Sequence, residues 1–332
     1  MKRIRVGFAN TLIQFVDRNR GIKQIHGFGE RGTGFPIVIY GPEGCGKSVL
    51  LLQAVEIFKE MGYSIIYFNP LMRRFEAEVG IESVKQLVLD RLKQALTEHE
   101  FAKLIWLVID VAVEILRHRG KRLAIVVDDA FQYLSTKEAA AIVKGLLEII
   151  EHPEESCERI VAIVATSECL SRFEIGKHLW AWIMPMWNMS RRGFEELYEK
   201  IPKPKPSLEE VWRLTGGNPQ MLSLLYRDDW SIDTIISRLI ASKNIAPSFI
   251  TKWRKWIEAS VEDPDALWSP DAPEDLIKEL VERNLIVYFL HERSPHLWVD
   301  EPPPEKDPEL GIGKHVAWQT PLHRDAIKKA LM

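Results

Sequence analysis

The first half of the chain alternates between short apolar runs and amphipathic stretches. Five apolar runs have the length and the β-branched content of buried strands, and they span residues 36–40, 63–69, 123–127, 159–165 and 180–187. Between them, apolar residues recur at helical spacing over residues 48–61, 81–92, 101–119 and 137–150. Strands that alternate with helices predict an α/β fold: a mostly parallel sheet with helices on both faces and a ligand at the carboxyl ends of the strands.

The pattern becomes helical after about residue 190. Ser207 is a predicted N-cap, Gly216 and Gly217 end that helix, and Asn218 and Pro219 are predicted to begin the next one. The end of the chain follows the order of a winged helix, with a helix, a strand, a proline-rich wing, a strand and a helix at 272–283, 284–290, 302–308, 315–319 and 321–331.

Composition excludes several classes of protein. The 332 residues are 46% hydrophobic and 27% charged, with a formal net charge of −3, so there is no global attraction to nucleic acid or to anionic membranes. Three scattered cysteines argue against a disulfide framework and favour a cytoplasmic location. The apolar block at 104–116 is too short to span a bilayer, and we expect no membrane partner.

The segment at 41–48, Gly-Pro-Glu-Gly-Cys-Gly-Lys-Ser, lies between a predicted strand and a predicted helix, which is the context of a phosphate-binding loop, or Walker A motif. Its glycines let successive N–H groups point at one anion, and the following helix directs its positive end to the same place. Lys47 would add a charge at the β- and γ-phosphates, and Ser48 would offer a hydroxyl to Mg²⁺. The predicted nucleotide contacts are Gly41, Pro42, Glu43, Gly44, Cys45, Gly46, Lys47, Ser48 and Val49.

The third predicted strand delivers two acids, as a Walker B strand does. An apolar strand next to the loop would place Asp128 where it can hold Mg²⁺, directly or through water, and Asp129 would be the catalytic acid that orients and deprotonates a water. A register one residue later, with Asp129 on the metal and Ala130 in the catalytic slot, stays open. Thr166 ends the fourth strand and either contacts the γ-phosphate or the attacking water, or caps the next turn.

Together with four further segments, these motifs resemble the archaeal ATPase family, which belongs to the STAND class of AAA-like signalling NTPases. The further segments are Phe-Val-Asp-Arg at 15–18, Ala-Thr-Ser at 165–167, Ser-Arg-Arg-Gly-Phe at 190–194 and Leu-Thr-Gly-Gly-Asn-Pro at 214–219. The resemblance covers about residues 14–330. It implies an ATPase that uses ATP/ADP and Mg²⁺, with a P-loop nucleotide-binding domain (1–189), a helical lid domain (190–262) and a winged-helix domain (263–332).

The resemblance also implies roles for residues outside the loop. Val16, Asp17, Arg18 and Pro219 would contact the base, although residues 216–219 also fit a simple joint between helices. His323 would sense the diphosphate, or else belong to the polar face of the last helix. Relatives often carry glutamate at the position of Asp129, so the shorter side chain predicts slow hydrolysis. Arginine-finger candidates are Arg172, Arg191, Arg192 and Arg324.

Three functions remain open on the sequence. The favoured one is an ATP-driven conformational switch, which implies an unidentified protein partner and allows an oligomer on activation. A nucleotide-regulated DNA-binding protein is not favoured, because acidic residues outnumber basic ones on the candidate recognition helix at 272–283 and along the wing. The third is a scaffold that binds nucleotide without turnover.

Overall fold

The computed structural model describes residues 2–69, 74–78, 101–118, 121–129, 131, 134–153, 157–166 and 171–332. The chain forms two compact units. The first contains Met1–Ile4, Asn19–Tyr40 and Lys47–Met184, and the second contains Arg5–Arg18, Gly41–Gly46 and Pro185–Met332. The helix predicted over 81–92 lies outside the described residues.

The described residues contain ten strands and twelve helices. Up to residue 185 they are β1 (Arg5–Phe8), β2 (Thr11–Gln14), α1 (Asn19–Arg31), β3 (Ile37–Tyr40), α2 (Lys47–Glu60), β4 (Ser64–Asn69), β5 (Arg74–Glu78), α3 (Phe101–His118), β6 (Arg122–Asp128), α4 (Thr136–Glu151), β7 (Arg159–Thr166), α5 (Ser171–Gly176) and β8 (Trp182–Pro185). Beyond it they are α6 (Arg191–Glu199), α7 (Leu208–Thr215), α8 (Pro219–Arg227), α9 (Ile232–Ser242), α10 (Pro247–Glu262), α11 (Glu274–Glu282), β9 (Ile286–Tyr288), β10 (Val316–Trp318) and α12 (Pro321–Leu331), with short 3₁₀ turns at Pro264–Trp268 and Pro295–Leu297.

A six-stranded sheet in the order β5-β4-β6-β7-β3-β8 organises the first unit. Strand β4 pairs parallel with β6, β6 with β7 and β7 with β3, whereas β5 runs antiparallel to β4. Strand β3 is buried at every position, and β6 and β7 are buried at all but their first residue, because apolar side chains cover both faces. This confirms the predicted α/β fold and its five strands.

Strand β7 lies between β6, which carries Asp128, and the loop strand β3. The register aligns the carboxyl ends nonetheless, since Asp128 pairs with Ala165 and Tyr40 pairs with Thr166. The strand ends that carry Asp128 and Thr166 therefore meet at one edge of the sheet.

The second unit is mainly helical and confirms the predicted caps. The Ser207 side chain accepts a hydrogen bond from the backbone N–H of Glu210, and Gly216 ends that helix in the left-handed conformation with φ 57°. Asn218 caps α8, and Pro219 is at its first turn. The predicted helix, strand, strand and helix of the last segment are α11, β9, β10 and α12, with β9 and β10 antiparallel. The winged-helix assignment stays a prediction.

Across the described part of the chain, none of the helices is both long enough and apolar enough to cross a bilayer.

Candidate functional site

Asp128 is the centre of a polar cluster at the carboxyl edge of the sheet. The Ser48 hydroxyl donates to Asp128 Oδ1 at 3.2 Å. Tyr67 Oη and Asn69 Nδ2 donate to Asp128 Oδ2 at 3.1 and 3.0 Å. Ser48 is in the first turn of α2, and Tyr67 and Asn69 are in β4, so three segments of the first unit meet at this carboxylate.

The electrostatics of the cluster favour a cation. Burial, followed by the negative charge of Asp129, raises the pKa of Asp128 from 3.8 to about 6, against the three donors that stabilise the ionised form. At neutral pH Asp128 is a largely ionised carboxylate with no exposed surface. Such a group gains from any divalent cation that replaces its lost hydration.

The other predicted residues of the first unit adjoin this cluster in the sequence or lie at the end of the neighbouring strand β7. Lys47 is buried at the start of α2, and Val49 follows Ser48 as a half-buried residue. Thr166 is fully buried at the end of β7. Asp129 is half-buried and has φ 49°, which turns the chain sharply as it leaves β6. Ala130, and with it the alternative register, lies outside the described residues.

The phosphate loop at Gly41–Gly46 belongs to the second unit. Gly44 has φ 75°, and a Cβ there would lie 2.3 Å from Gln220, so both conformation and space require glycine. Gly46 has φ 101°, again in a region that side chains disfavour. Pro42 and Cys45 are buried, and the Cys45 thiol lies 3.7 Å from the carbonyl of Met186.

The segment at 15–18 is held by the second unit. Val16 is buried in an apolar cluster with Phe194 and Leu222. Asp17 and Arg18 both have positive φ, 56° and 57°. Burial raises the pKa of Asp17, and its carboxylate accepts a hydrogen bond from the Ser190 hydroxyl at the start of α6.

Arg18 is buried and makes several contacts. It forms an ion pair with Asp300 at 3.0 Å. Its guanidinium also donates to the carbonyls of Cys45 at 2.7 Å, Trp187 at 3.0 Å and Asn188 at 3.5 Å. These contacts make Arg18 a bridge between the loop and distant parts of the second unit, and its role at the base stays a prediction.

His323 is buried near the start of α12, with Nδ1 2.8 Å from the Thr320 hydroxyl. Burial, and then the charge of Lys243, lowers the pKa of His323 to about 3. The imidazole is therefore neutral at physiological pH and can act as a hydrogen-bonding group but not as a cation. Pro219 is half-buried at the start of α8.

The arginine-finger candidates have different surroundings. Arg172 is buried, with its guanidinium 4.4 Å from the Tyr40 ring centre. Arg191 pairs with Glu209 at 2.7 Å, and Arg324 donates to the carbonyl of Pro308 at 2.6 Å. Arg192 is exposed.

Sequence reasoning missed several residues that contact the predicted ones. Tyr67 and Asn69 hold Asp128, and their signal was a polar end on an otherwise apolar strand. Around the loop, Lys243 and Gln319 contact Glu43, and Asn188 contacts Asn218. No local sequence pattern predicts these three residues, which come together only in the folded chain.

Comparisons with known proteins found solved structures of low sequence identity. The ORC1 protein of Aeropyrum pernix in complex with DNA is 13% identical, and the match covers 96% of this chain and 92% of that one with a TM-score of 0.40. The AMPPCP-bound DnaA from Aquifex aeolicus is 16% identical, with 78% and 81% covered and a TM-score of 0.35. No curated protein matches the chain in sequence. The family model that describes an ATPase domain predominantly from Archaea matches residues 15–225, well over half of the chain, and the chain belongs to that family.

Proposed function

We propose that the protein binds MgATP, hydrolyses it slowly, and changes conformation with the state of its nucleotide. The observation that carries the proposal is the contact between Ser48 and Asp128. It joins the hydroxyl that follows the phosphate-loop lysine to the acid at the end of a buried strand. A Walker-type site requires this pairing, because the two groups share one metal ion.

The donor set fits magnesium. Asp128 and Ser48 offer hard oxygen atoms, and a carboxylate that is buried and largely ionised favours a small divalent cation. These two residues would hold Mg²⁺, which would neutralise charge on the β- and γ-phosphates. Tyr67 and Asn69 keep the carboxylate oriented through their hydrogen bonds to Oδ2.

The remaining roles follow from position and chemistry. Lys47 would place its ammonium group on the transferred phosphate. Asp129, half-buried beside Asp128, would accept a proton from the attacking water. Thr166, at the end of β7, would hydrogen-bond the γ-phosphate or that water. Because aspartate is shorter than the glutamate usual in relatives, we expect slow turnover.

At the other end of the nucleotide, Val16, Asp17, Arg18 and Pro219 would contact the base. His323 would read the diphosphate through hydrogen bonding, since its imidazole is neutral. The acidic first turn of α11, with Glu274 and Asp275, favours a protein over DNA as the partner of the switch.

The test is steady-state phosphate release from MgATP by the wild type, Lys47→Ala and Asp129→Asn, with Asp271→Asn as a matched change at an exposed position. We expect release by the wild type and Asp271→Asn and none by the other two. Thermal stabilisation by nucleotide should persist in Asp129→Asn and vanish in Lys47→Ala; a ligand at a hundred times its Kd stabilises by about 2.7 kcal/mol.

Two outcomes would contradict the proposal in different ways. Binding without release by the wild type would indicate a scaffold, or a site completed by a partner. Stabilisation of Lys47→Ala equal to that of the wild type would overturn the assignment of the phosphate loop itself.

A further inference from the structure

Glu43, in the middle of the phosphate loop, is held at three points by residues that are distant in sequence. Its backbone N–H donates to Gln319 Oε1 at 2.7 Å. Its carbonyl accepts from Asn218 Nδ2 at 2.9 Å. Its carboxylate pairs with Lys243 Nζ at 2.6 Å. All of these residues belong to the second unit.

The next two carbonyls of the loop are also hydrogen-bonded. The Gly44 carbonyl accepts from the backbone N–H of Gln220 at 3.4 Å, and the Cys45 carbonyl accepts from Arg18 at 2.7 Å. Three consecutive carbonyls, those of Glu43, Gly44 and Cys45, thus point at donors supplied by other segments.

Peptide geometry converts these contacts into an orientation of the loop. In a trans peptide the carbonyl and the following N–H point in opposite directions. Fixing the carbonyls of residues 43–45 therefore fixes the direction of the N–H groups of residues 44–46, of which the Cys45 N–H donates to the Pro42 carbonyl at 3.2 Å. A phosphate-binding loop needs its N–H groups arranged before the anion arrives.

Asn218 and Gln319, which hold Glu43, are linked to each other by hydrogen bonds through Asn188, and all three residues are buried. Asn218 Nδ2 also donates to Asn188 Oδ1 at 2.8 Å, and Asn188 Nδ2 donates to the Gln319 carbonyl at 3.1 Å. Asn188, Asn218 and Gln319 are each less than 5% exposed. Water cannot readily replace a hydrogen bond at these positions, so losing one donor or acceptor leaves a buried polar group unpaired.

We infer that Arg18, Asn218, Lys243 and Gln319 form a loop clamp, a set of positioning residues that fixes the peptide planes of the phosphate loop and thereby sets how long a nucleotide stays bound. The inference rests on the proposed function, because it concerns nucleotide at the same loop. The clamp residues come from the start of the chain, the helices after residue 207 and the segment before α12. The loop is therefore in contact with all three parts of the second unit.

The test uses the full chain with Gln319→Met, which removes the acceptor in a side chain of similar length, and Lys243→Met, which removes the ion pair at a largely buried lysine. Lys329→Met is the matched control, because Lys329 also pairs with a carboxylate at 2.6 Å, that of Asp233, away from the loop. Lys243→Arg is the conservative variant, since it keeps the charge. Far-UV circular dichroism establishes that each variant folds.

The first readout is hydrogen exchange of a peptide covering residues 41–46 in nucleotide-free protein. We expect exchange to rise about threefold or more in Gln319→Met and Lys243→Met, and to stay at the wild-type rate in Lys329→Met. The second readout is the dissociation rate of a fluorescent ADP analogue. We expect this dissociation rate to rise about tenfold in Gln319→Met and Lys243→Met. In Lys243→Arg it should be close to the wild-type rate, because the ion pair with Glu43 is kept.

The inference would be overturned if the folded clamp variants kept wild-type rates of both hydrogen exchange and ADP-analogue dissociation. It would also be overturned if Lys329→Met changed these rates as much as the clamp variants do. The two proposals fail separately. A wild type that never binds the analogue contradicts the proposed function, whereas the exchange rates still decide whether the clamp shapes the loop.

Discussion

Replacing Asp128 by asparagine should make the free energy of unfolding of the metal-free protein fall less between pH 5 and pH 8. Burial, with the neighbouring charge of Asp129, raises the pKa of Asp128 from 3.8 to about 6. Between these values the folded state binds the proton more tightly than the unfolded state, so the free energy of unfolding falls as the pH rises through the window. Above the window the ionised carboxylate opposes folding by about 3 kcal/mol.

Asparagine removes the charge and keeps the shape. Its amide oxygen can still accept from Ser48, but its amide nitrogen then faces the donors Tyr67 and Asn69, which costs some stability at every pH. The loss of these hydrogen bonds is the same at every pH, so it does not alter how the stability difference between Asp128→Asn and the wild type changes with pH. Relative to the wild type, the stability of Asp128→Asn should therefore improve by about 1.5 kcal/mol between pH 5 and pH 8, since the other half of the effect has already developed by pH 5.

The assay is urea unfolding at pH 5 and pH 8 in the presence of a chelator. Asp129→Asn is the matched control, because it makes the same change one residue later at a positive φ that asparagine tolerates. It should change the pH dependence less, since it only removes a neighbouring charge from Asp128. A stability difference between Asp128→Asn and wild type that is the same at both pH values would refute the argument.

Two further substitutions test the packing of the second unit. Arg18→Met leaves the Asp300 carboxylate buried without its ion-pair partner, so urea unfolding should show a loss of about 3–5 kcal/mol, partly recovered when Asp300→Asn is added. Gly193→Ala places a Cβ 1.8 Å from Asp17 Oδ2 and should lower the free energy of unfolding by about 1–3 kcal/mol. Gly34→Ala, where no atom lies within 4 Å of the added Cβ, should change it by less than about 0.5 kcal/mol, and equal losses at both glycines would contradict the contact.

The parallel sheet could be predicted because burial on both faces leaves an uninterrupted apolar run. Strands β3, β6 and β7 are such runs. Strand β5, with the sequence Arg-Phe-Glu-Ala-Glu, has no such run, and it was missed; it is the antiparallel edge strand. The order of parallel strands could not be predicted, because helical crossovers allow strands adjacent in sequence to be separated in space. In this sheet β7 lies between β3 and β6, although it follows both of them in the sequence.

The candidate site could be predicted where its chemistry is local. The phosphate loop and the acid at the end of β6 are each contained in a few consecutive residues, and the fold places Ser48 against Asp128. The supporting residues are nonlocal: Asn69 lies 59 residues from Asp128, and Gln319 lies 276 residues from Glu43. A buried asparagine or glutamine has no periodicity and no preferred spacing from its partner, so only the folded chain reveals it.

Asp128 and His323 should respond differently to pH, because burial shifts their pKa values in opposite directions. Asp128, with a pKa of about 6, exchanges its proton in the range where cells and enzymes operate, so a proton and a metal ion compete for the same carboxylate. His323, with its pKa lowered to about 3, does not titrate there. Protonation of Asp128 should therefore weaken magnesium-dependent nucleotide binding between pH 7 and pH 5. Near His323 the positive charge is that of Lys243, and in this structure Lys243 is paired with Glu43 of the phosphate loop. If His323 contacts the diphosphate as proposed, it does so as a neutral hydrogen-bonding group, and the nearby charge of Lys243 is already paired with Glu43.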